Sequence, residues 1–126
     1  MTQEPNNIRS KMKTYHSFEE LAVQYFGYCQ SEPSIIPKWE IRYIKRVEKM
    51  YNAVKKLMTP IWDDDWESFV FERPTPSGYN QRRLLWSDGD NWVFGNEEGG
   101  EYATSCNLKD VMQRITKWYN SKFIKK

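Results

Sequence analysis

From Phe18 onward apolar residues recur at spacings of three and four: Phe18, Leu21, Ala22, Tyr25, Phe26 and Cys29. That period lines one face of a helix. Ser17 and Glu20 just ahead of it have the spacing of a capping box, in which each side chain satisfies a backbone donor of the other. Two prolines between Ser31 and Pro37 end this element. From Lys38 to Met58 there is neither glycine nor proline, and Tyr43, Ile44, Val47, Met50, Tyr51, Val54, Leu57 and Met58 keep the helical period. Lys38, Arg42, Lys45, Arg46, Lys49 and Lys56 fall near the opposite side. Thr59-Pro60 stops the second helix, because a proline disfavours helical backbone in the residue before it.

The period then changes. Trp66 to Glu72 is aromatic and β-branched and predicts a strand, and Pro74 to Gly78 a loop. Arg82–Ser87 and Asp90–Phe94 predict two strands around Asp88-Gly89, a dipeptide suited to a two-residue hairpin turn. Asn96–Gly100 predicts another turn and Glu101–Ser105 a last strand. Asn107 is a favourable N-cap, after which Leu108, Val111, Met112, Ile115, Trp118, Tyr119 and Phe123 form the stripe of a final helix. The order is α-α-β-β-β-β-α. It predicts a small α+β domain over residues 14–126, an antiparallel meander packed against helices, behind a flexible leader at 1–13.

If Asp88 and Gly89 alone make the turn, Leu85 faces Trp92 and Leu84 faces Val93. One face of the hairpin then carries Leu85, Trp92 and Phe94, and the other carries Leu84, Trp86 and Val93. Both are apolar, whereas a sheet covered by helices on one side alternates apolar with polar. Either something covers both faces or one is an aromatic patch used for binding.

Composition adds the size and the charge. With 126 residues, 16% of them aromatic, the chain has material for one core and is not intrinsically disordered. The net charge of +2 conceals a cancellation. Residues 1–58 carry ten basic and six acidic side chains, residues 59–104 three and ten, and residues 105–126 six and one: +4, −7 and +5. No apolar run approaches the length of a bilayer span, and Met1–Lys13 has no secretory pattern, so a cytoplasmic protein is expected. Cys29 and Cys106 lack metal-ligand spacing and are expected reduced and buried.

Chemistry specific to a reaction is missing. His16 is the single histidine and has no evident partner, and Gly95 and Gly99-Gly100 form no phosphate-binding fingerprint. The acidic run Asp63-Asp64-Asp65-Trp66-Glu67 stands out. On a strand Asp63, Asp65 and Glu67 would share a face and could hold Mg²⁺ or Mn²⁺, which is one alternative reading, a metal-dependent enzyme. Arg82 and Arg83 would point to opposite faces, each pairing with an acid from a neighbouring strand. A nucleic-acid-binding regulator using Arg42, Lys45, Lys49 and Lys56 is another alternative. The leading expectation is a non-catalytic, cofactor-free binding module of inhibitor, immunity or antidefence type, associating with another protein and not with a membrane. Trp62, Trp66, Trp86 and Trp92 are its expected anchors, rimmed by Asp63, Asp64, Asp65, Glu97 and Glu98.

Overall fold

Six strands hydrogen-bond in the order in which the chain makes them, every neighbouring pair antiparallel. The computed structural model describes residues 12–29 and 36–121. The strands are β1 (Met12–Thr14), β2 (Ile61–Asp63), β3 (Ser68–Pro74), β4 (Asn80–Ser87), β5 (Trp92–Gly95) and β6 (Glu101–Ser105). Helix α1 (Phe18–Leu21) continues into a π-helical turn (Ala22–Phe26), α2 spans Lys38–Lys55 and α3 spans Leu108–Asn120. The α+β class, the meander and the order of the long elements are as expected. Strands β1 and β2 are additions of three residues each, too short to show a period. Of the expected leader, Met12 and Lys13 lie in β1, and residues 1–11 lie outside the described residues.

The helix ends follow their capping chemistry. Ser17 Oγ accepts from the Glu20 amide at 3.2 Å, and Glu20 Oε1 accepts from the His16 amide at 2.7 Å, one residue further back than a standard capping box. Gly27, at φ +68°, closes the π-helical turn in the left-handed region. At α3, Asn107 Oδ1 accepts from the Lys109 amide at 3.0 Å.

The β4–β5 turn differs from expectation. Asp88 to Asn91 make a four-residue loop in which the Asp88 amide donates to the Asn91 carbonyl at 3.1 Å. Asp88 Oδ1 accepts from the amides of Asp90 (2.9 Å) and Asn91 (2.7 Å), so one carboxylate satisfies two donors. These bonds hold the Asp88 carboxyl below its usual range. Only Gly89 of the four takes positive φ, and Asp88 avoids the left-handed backbone that a two-residue turn would demand of it. Leu85 therefore faces Phe94 and Leu84 faces Gly95. The register moves by two residues, an even shift, so the face assignments survive.

Those faces have different fates. Trp62, Phe69, Phe71, Leu85, Trp92 and Phe94 point toward the helices and join Phe18, Leu21, Ile44, Val47, Met50, Val54, Val111 and Ile115 in one core. Trp62 and Trp92, at 1% and 3% exposure, are core residues and not surface anchors, because both occupy the helix-facing phase of their strands. Val70, Leu84 and Val93 are also buried, but on the other face and outside that core.

No helix packs on this outer face among the described residues, and the sheet's own side chains cover it in part. Trp86 is the largest of them, and its ring lies over Gly95. A Cβ at Gly95 would stand 2.8 Å from Trp86 Cη2 and 2.2 Å from the Gly100 carbonyl oxygen, so only glycine fits. Gly95→Ala is expected to lower stability by about 1–3 kcal/mol through overpacking, read as a lower urea midpoint at unchanged slope.

Candidate functional site

The acidic run does not form a strand face. Asp63 ends β2, residues 64–67 form the turn, and β3 begins at Ser68, two residues later than expected. The physical reason is Asp63 itself. Its Oδ1 accepts from the amides of Asp65 (2.8 Å) and Trp66 (3.1 Å), a local bond pattern that favours a turn over an extended ladder. The carboxylates then diverge. Asp63 Oδ2 meets Arg82, Asp64 pairs with Lys13 at 3.2 Å, Asp65 is exposed, and Glu67 turns to Tyr25 and Tyr43. The shared metal-holding face is therefore not formed, and no group of three or more acids, histidines or cysteines is arranged for a metal among the described residues.

Trp66 and Trp86 reach the outer face, where a cavity of about 230 Å³ is lined by Trp66, Ser68, Leu84, Trp86, Asn96 and Glu97. Trp66 is 49% exposed and Trp86 half-buried. Ser68 of β3 and Leu84 and Trp86 of β4 come from the strands, and Trp66, Asn96 and Glu97 come from two separate turns, 64–67 and 96–100, brought together over them. Asn96 shapes the second turn: its Oδ1 accepts from the amides of Glu98 (3.0 Å) and Gly100 (2.8 Å), and its amide group donates to Tyr102 Oη at 2.7 Å.

Arg82 joins the two turns. Its guanidinium lies 2.5 Å from Asp63 Oδ2 and 2.5 Å from Glu97 Oε2. Asp63 and Glu97, expected as free rim charges, are instead neutralised by this arginine, and Asp63 is buried at 4% exposure. Glu98, between the lining residues Glu97 and Gly99, is exposed, and Asp65 is exposed in the 64–67 turn. Arg82 has the expected acid partners, although they come from β2 and the 96–100 turn instead of a neighbouring strand, and Arg83 has none among the described residues. Arg83 stacks over Tyr102 at 4.4 Å and Trp118 at 5.4 Å and donates to the Arg82 carbonyl.

On the helical side, Arg42, Lys45, Lys49 and Lys56 are exposed, as the stripe predicted. Arg46 leaves the stripe: it donates to Ser87 Oγ at 2.7 Å and lies 3.8 Å over the Trp92 ring, fastening α2 to the sheet. A second basic region appears at the end of α3, where Arg83, Arg114, Lys117, Tyr102 and Trp118 line a cavity of about 520 Å³. Arg73 closes this helix end by donating to the Trp118 and Ser121 carbonyls. Sequence period placed Trp118 on the core stripe but gave no sign of the arginines that sandwich it. Cys29 and Cys106 are not joined by a disulfide, and Cys106 is exposed where a buried thiol was expected, since it sits in the open link before α3.

The Arg82 clamp makes a specific stability demand. Asp63→Asn keeps an acceptor for the turn amides but sets an amide donor against the guanidinium. It is expected to cost about 1–3 kcal/mol, because the part-exposed Arg82 keeps Glu97, whereas Arg82→Met leaves the buried Asp63 carboxylate without its cation and is expected to cost more, both read in urea unfolding. Comparisons of the chain with protein-family models, with curated proteins and with solved structures each find no match.

Proposed function

We propose that the protein is a non-catalytic binding module of the cytoplasm that acts by stoichiometric association with another protein, as inhibitors, immunity proteins and antidefence proteins do. The observation that carries this reading is the outer-face cleft between Trp66 and Trp86. Its floor is apolar, no helix covers it among the described residues, and one of its two indoles is half exposed. Large aromatic side chains in a partly desolvated cleft, ringed by charge, have the make-up of an interface hot spot. Glu98, exposed between the lining residues Glu97 and Gly99, gives that side of the cleft an acidic character, so the complementary partner presents a basic surface with an apolar centre. The Arg82 clamp supports the reading too, since it fixes both turns of the cleft before a partner arrives and lowers the ordering cost.

The test is affinity capture of partners from extracts of the source cells, comparing wild type, Trp66→Ala, Trp86→Ala and a Lys45→Glu/Lys49→Glu control. Each tryptophan truncation is expected to weaken a specific partner by about 2 kcal/mol or more, roughly thirtyfold, while the control retains it. Identical captured sets for all four proteins would overturn the reading.

A nucleic-acid function is the second reading, favoured by the exposed cations of α2 and by the arginine–aromatic cavity at the end of α3. It requires binding to random-sequence oligonucleotides that falls by orders of magnitude between about 50 and 200 mM salt and is lost in Arg42→Glu/Lys45→Glu. Absence of any mobility shift at the lower salt removes it.

A further inference from the structure

A different cavity, of about 570 Å³, opens beside the same acidic turn and is lined by Tyr25, Phe26, Trp39, Glu40, Tyr43 and Glu67. Four of these residues are aromatic, two are carboxylates, and none is a cation. Three unusual pieces of backbone and surface converge there. The π-helical turn at Ala22–Phe26 brings the consecutive residues Tyr25 and Phe26 to one site, with ring centroids 4.8 Å apart. Such turns are rare and concentrate at functional sites. Glu67 takes φ +46°, the single non-glycine residue with positive φ among those described, a strain that persists only where surrounding contacts hold it. Trp39, in the first turn of α2, is 65% exposed, and Tyr43 lies one helical turn along the same face.

Glu67 is the centre of the arrangement. Tyr25 Oη donates to its Oε2 at 2.9 Å and Tyr43 Oη to its Oε1 at 3.1 Å, so the carboxylate is fixed between two rings. Burial first, and then Glu67, pushes both phenols above their usual range, so they remain hydrogen-bond donors at every physiological pH. The walls present four aromatic rings, and Glu40 adds a second carboxylate.

That chemistry selects a cation, and among cations a weakly hydrated one. A bare divalent ion would want six or more oxygen ligands, which two carboxylates do not provide. An unmodified ammonium is strongly hydrated and loses more on leaving water. An alkylated ammonium spreads its charge over methyl groups that contact ring faces, which is how aromatic cages recognise choline and methyl-lysine. We propose that this cavity binds an alkylammonium group, either the head of a small quaternary ammonium compound or a methylated lysine side chain. The site stands apart from the Trp66–Trp86 cleft and does not require it.

The test is titration of the full chain with tetramethylammonium, choline, a trimethyl-lysine peptide, its unmethylated counterpart, and the neutral isostere of choline in which tert-butyl replaces trimethylammonium. Binding is followed by the indole resonance of Trp39 in NMR spectra and by calorimetry. Saturable binding of the quaternary ammonium compounds is expected with Kd of about 1 mM or tighter, and the neutral isostere about tenfold weaker. Trp39→Ala, at an exposed position that leaves folding intact, is expected to weaken binding about tenfold, Glu67→Gln similarly, and Trp66→Ala not at all. A trimethyl-lysine peptide that outbinds choline places the source in a protein, and the reverse places it in a small molecule; either supports the site. Equal binding of the neutral isostere, indifference to Trp39→Ala, or no saturable binding overturns the proposal. Failure of the Trp66–Trp86 reading would show instead as partner capture that Trp66→Ala and Trp86→Ala leave unchanged.

Discussion

A meander joined by hairpin turns has no crossover connection to carry a helix to its second face, and that restriction governs the rest of this molecule. The chain has two places for helices, between β1 and β2 and after β6, and all three helices enter the same core. The opposite face holds Val70, Leu84 and Val93 and must be protected by other means. Trp86 lying across Gly95 is one of them, and Arg82 drawing the 64–67 and 96–100 turns together is another. Neither device seals the face as a helix would. What is left open is the cleft beside Trp66.

The 64–67 turn is where the two candidate sites meet. Asp63 closes it by accepting two backbone amides, and the sharp course that results places neighbouring residues in different surroundings. Trp66 lines the outer cleft while Glu67, held in left-handed backbone, lines the aromatic cavity against α2. Strain of order 1–3 kcal/mol at Glu67 is offset by the two tyrosine hydroxyls that bind its carboxylate. A glycine would adopt this backbone without strain but would leave both phenols without that acceptor. The residue chosen here serves the site rather than the turn.

What could be read in the sequence was whatever depends on period. The apolar stripes of α2 and α3 fixed their buried faces, Ser17 and Glu20 marked the start of α1, and the alternation in β4 and β5 assigned Leu84 and Leu85 to opposite faces even with the register two residues off. Features set by tertiary contact left no such trace. The three-residue strands β1 and β2 carry no period, and they decided that Trp62 goes to the core while Trp66, four residues on, stays outside. Asp63 looked like one of several equivalent carboxylates, and only the position of Arg82 two strands away makes it the buried one. The aromatic cavity was illegible for a further reason: Tyr25 and Tyr43 satisfy the helical period perfectly well as core residues, and Glu67 converts them into the walls of a site by approaching from 24 and 42 residues away.

Folding also turns the segmental charge pattern into a spatial one. The cations of α2 and α3 that face solvent, among them Arg42, Lys45, Lys49, Lys109, Arg114 and Lys117, belong to the helical layer. Exposed acids lie in three turns of the sheet, at Asp65, Asp88, Asp90 and Glu98, while Glu19, Glu101 and Asp110 are exposed elsewhere. A molecule with a net charge of +2 therefore presents separate basic and acidic regions on its surface. Charge separation of this kind orients encounters more than it adds affinity. Both the outer cleft and the aromatic cavity border the 64–67 turn. That turn joins the two layers: Trp66 carries it onto the outer face of the sheet, while Glu67 meets Tyr25 and Tyr43 of the helical layer, so one turn of four consecutive residues contributes to two cavities of different chemistry.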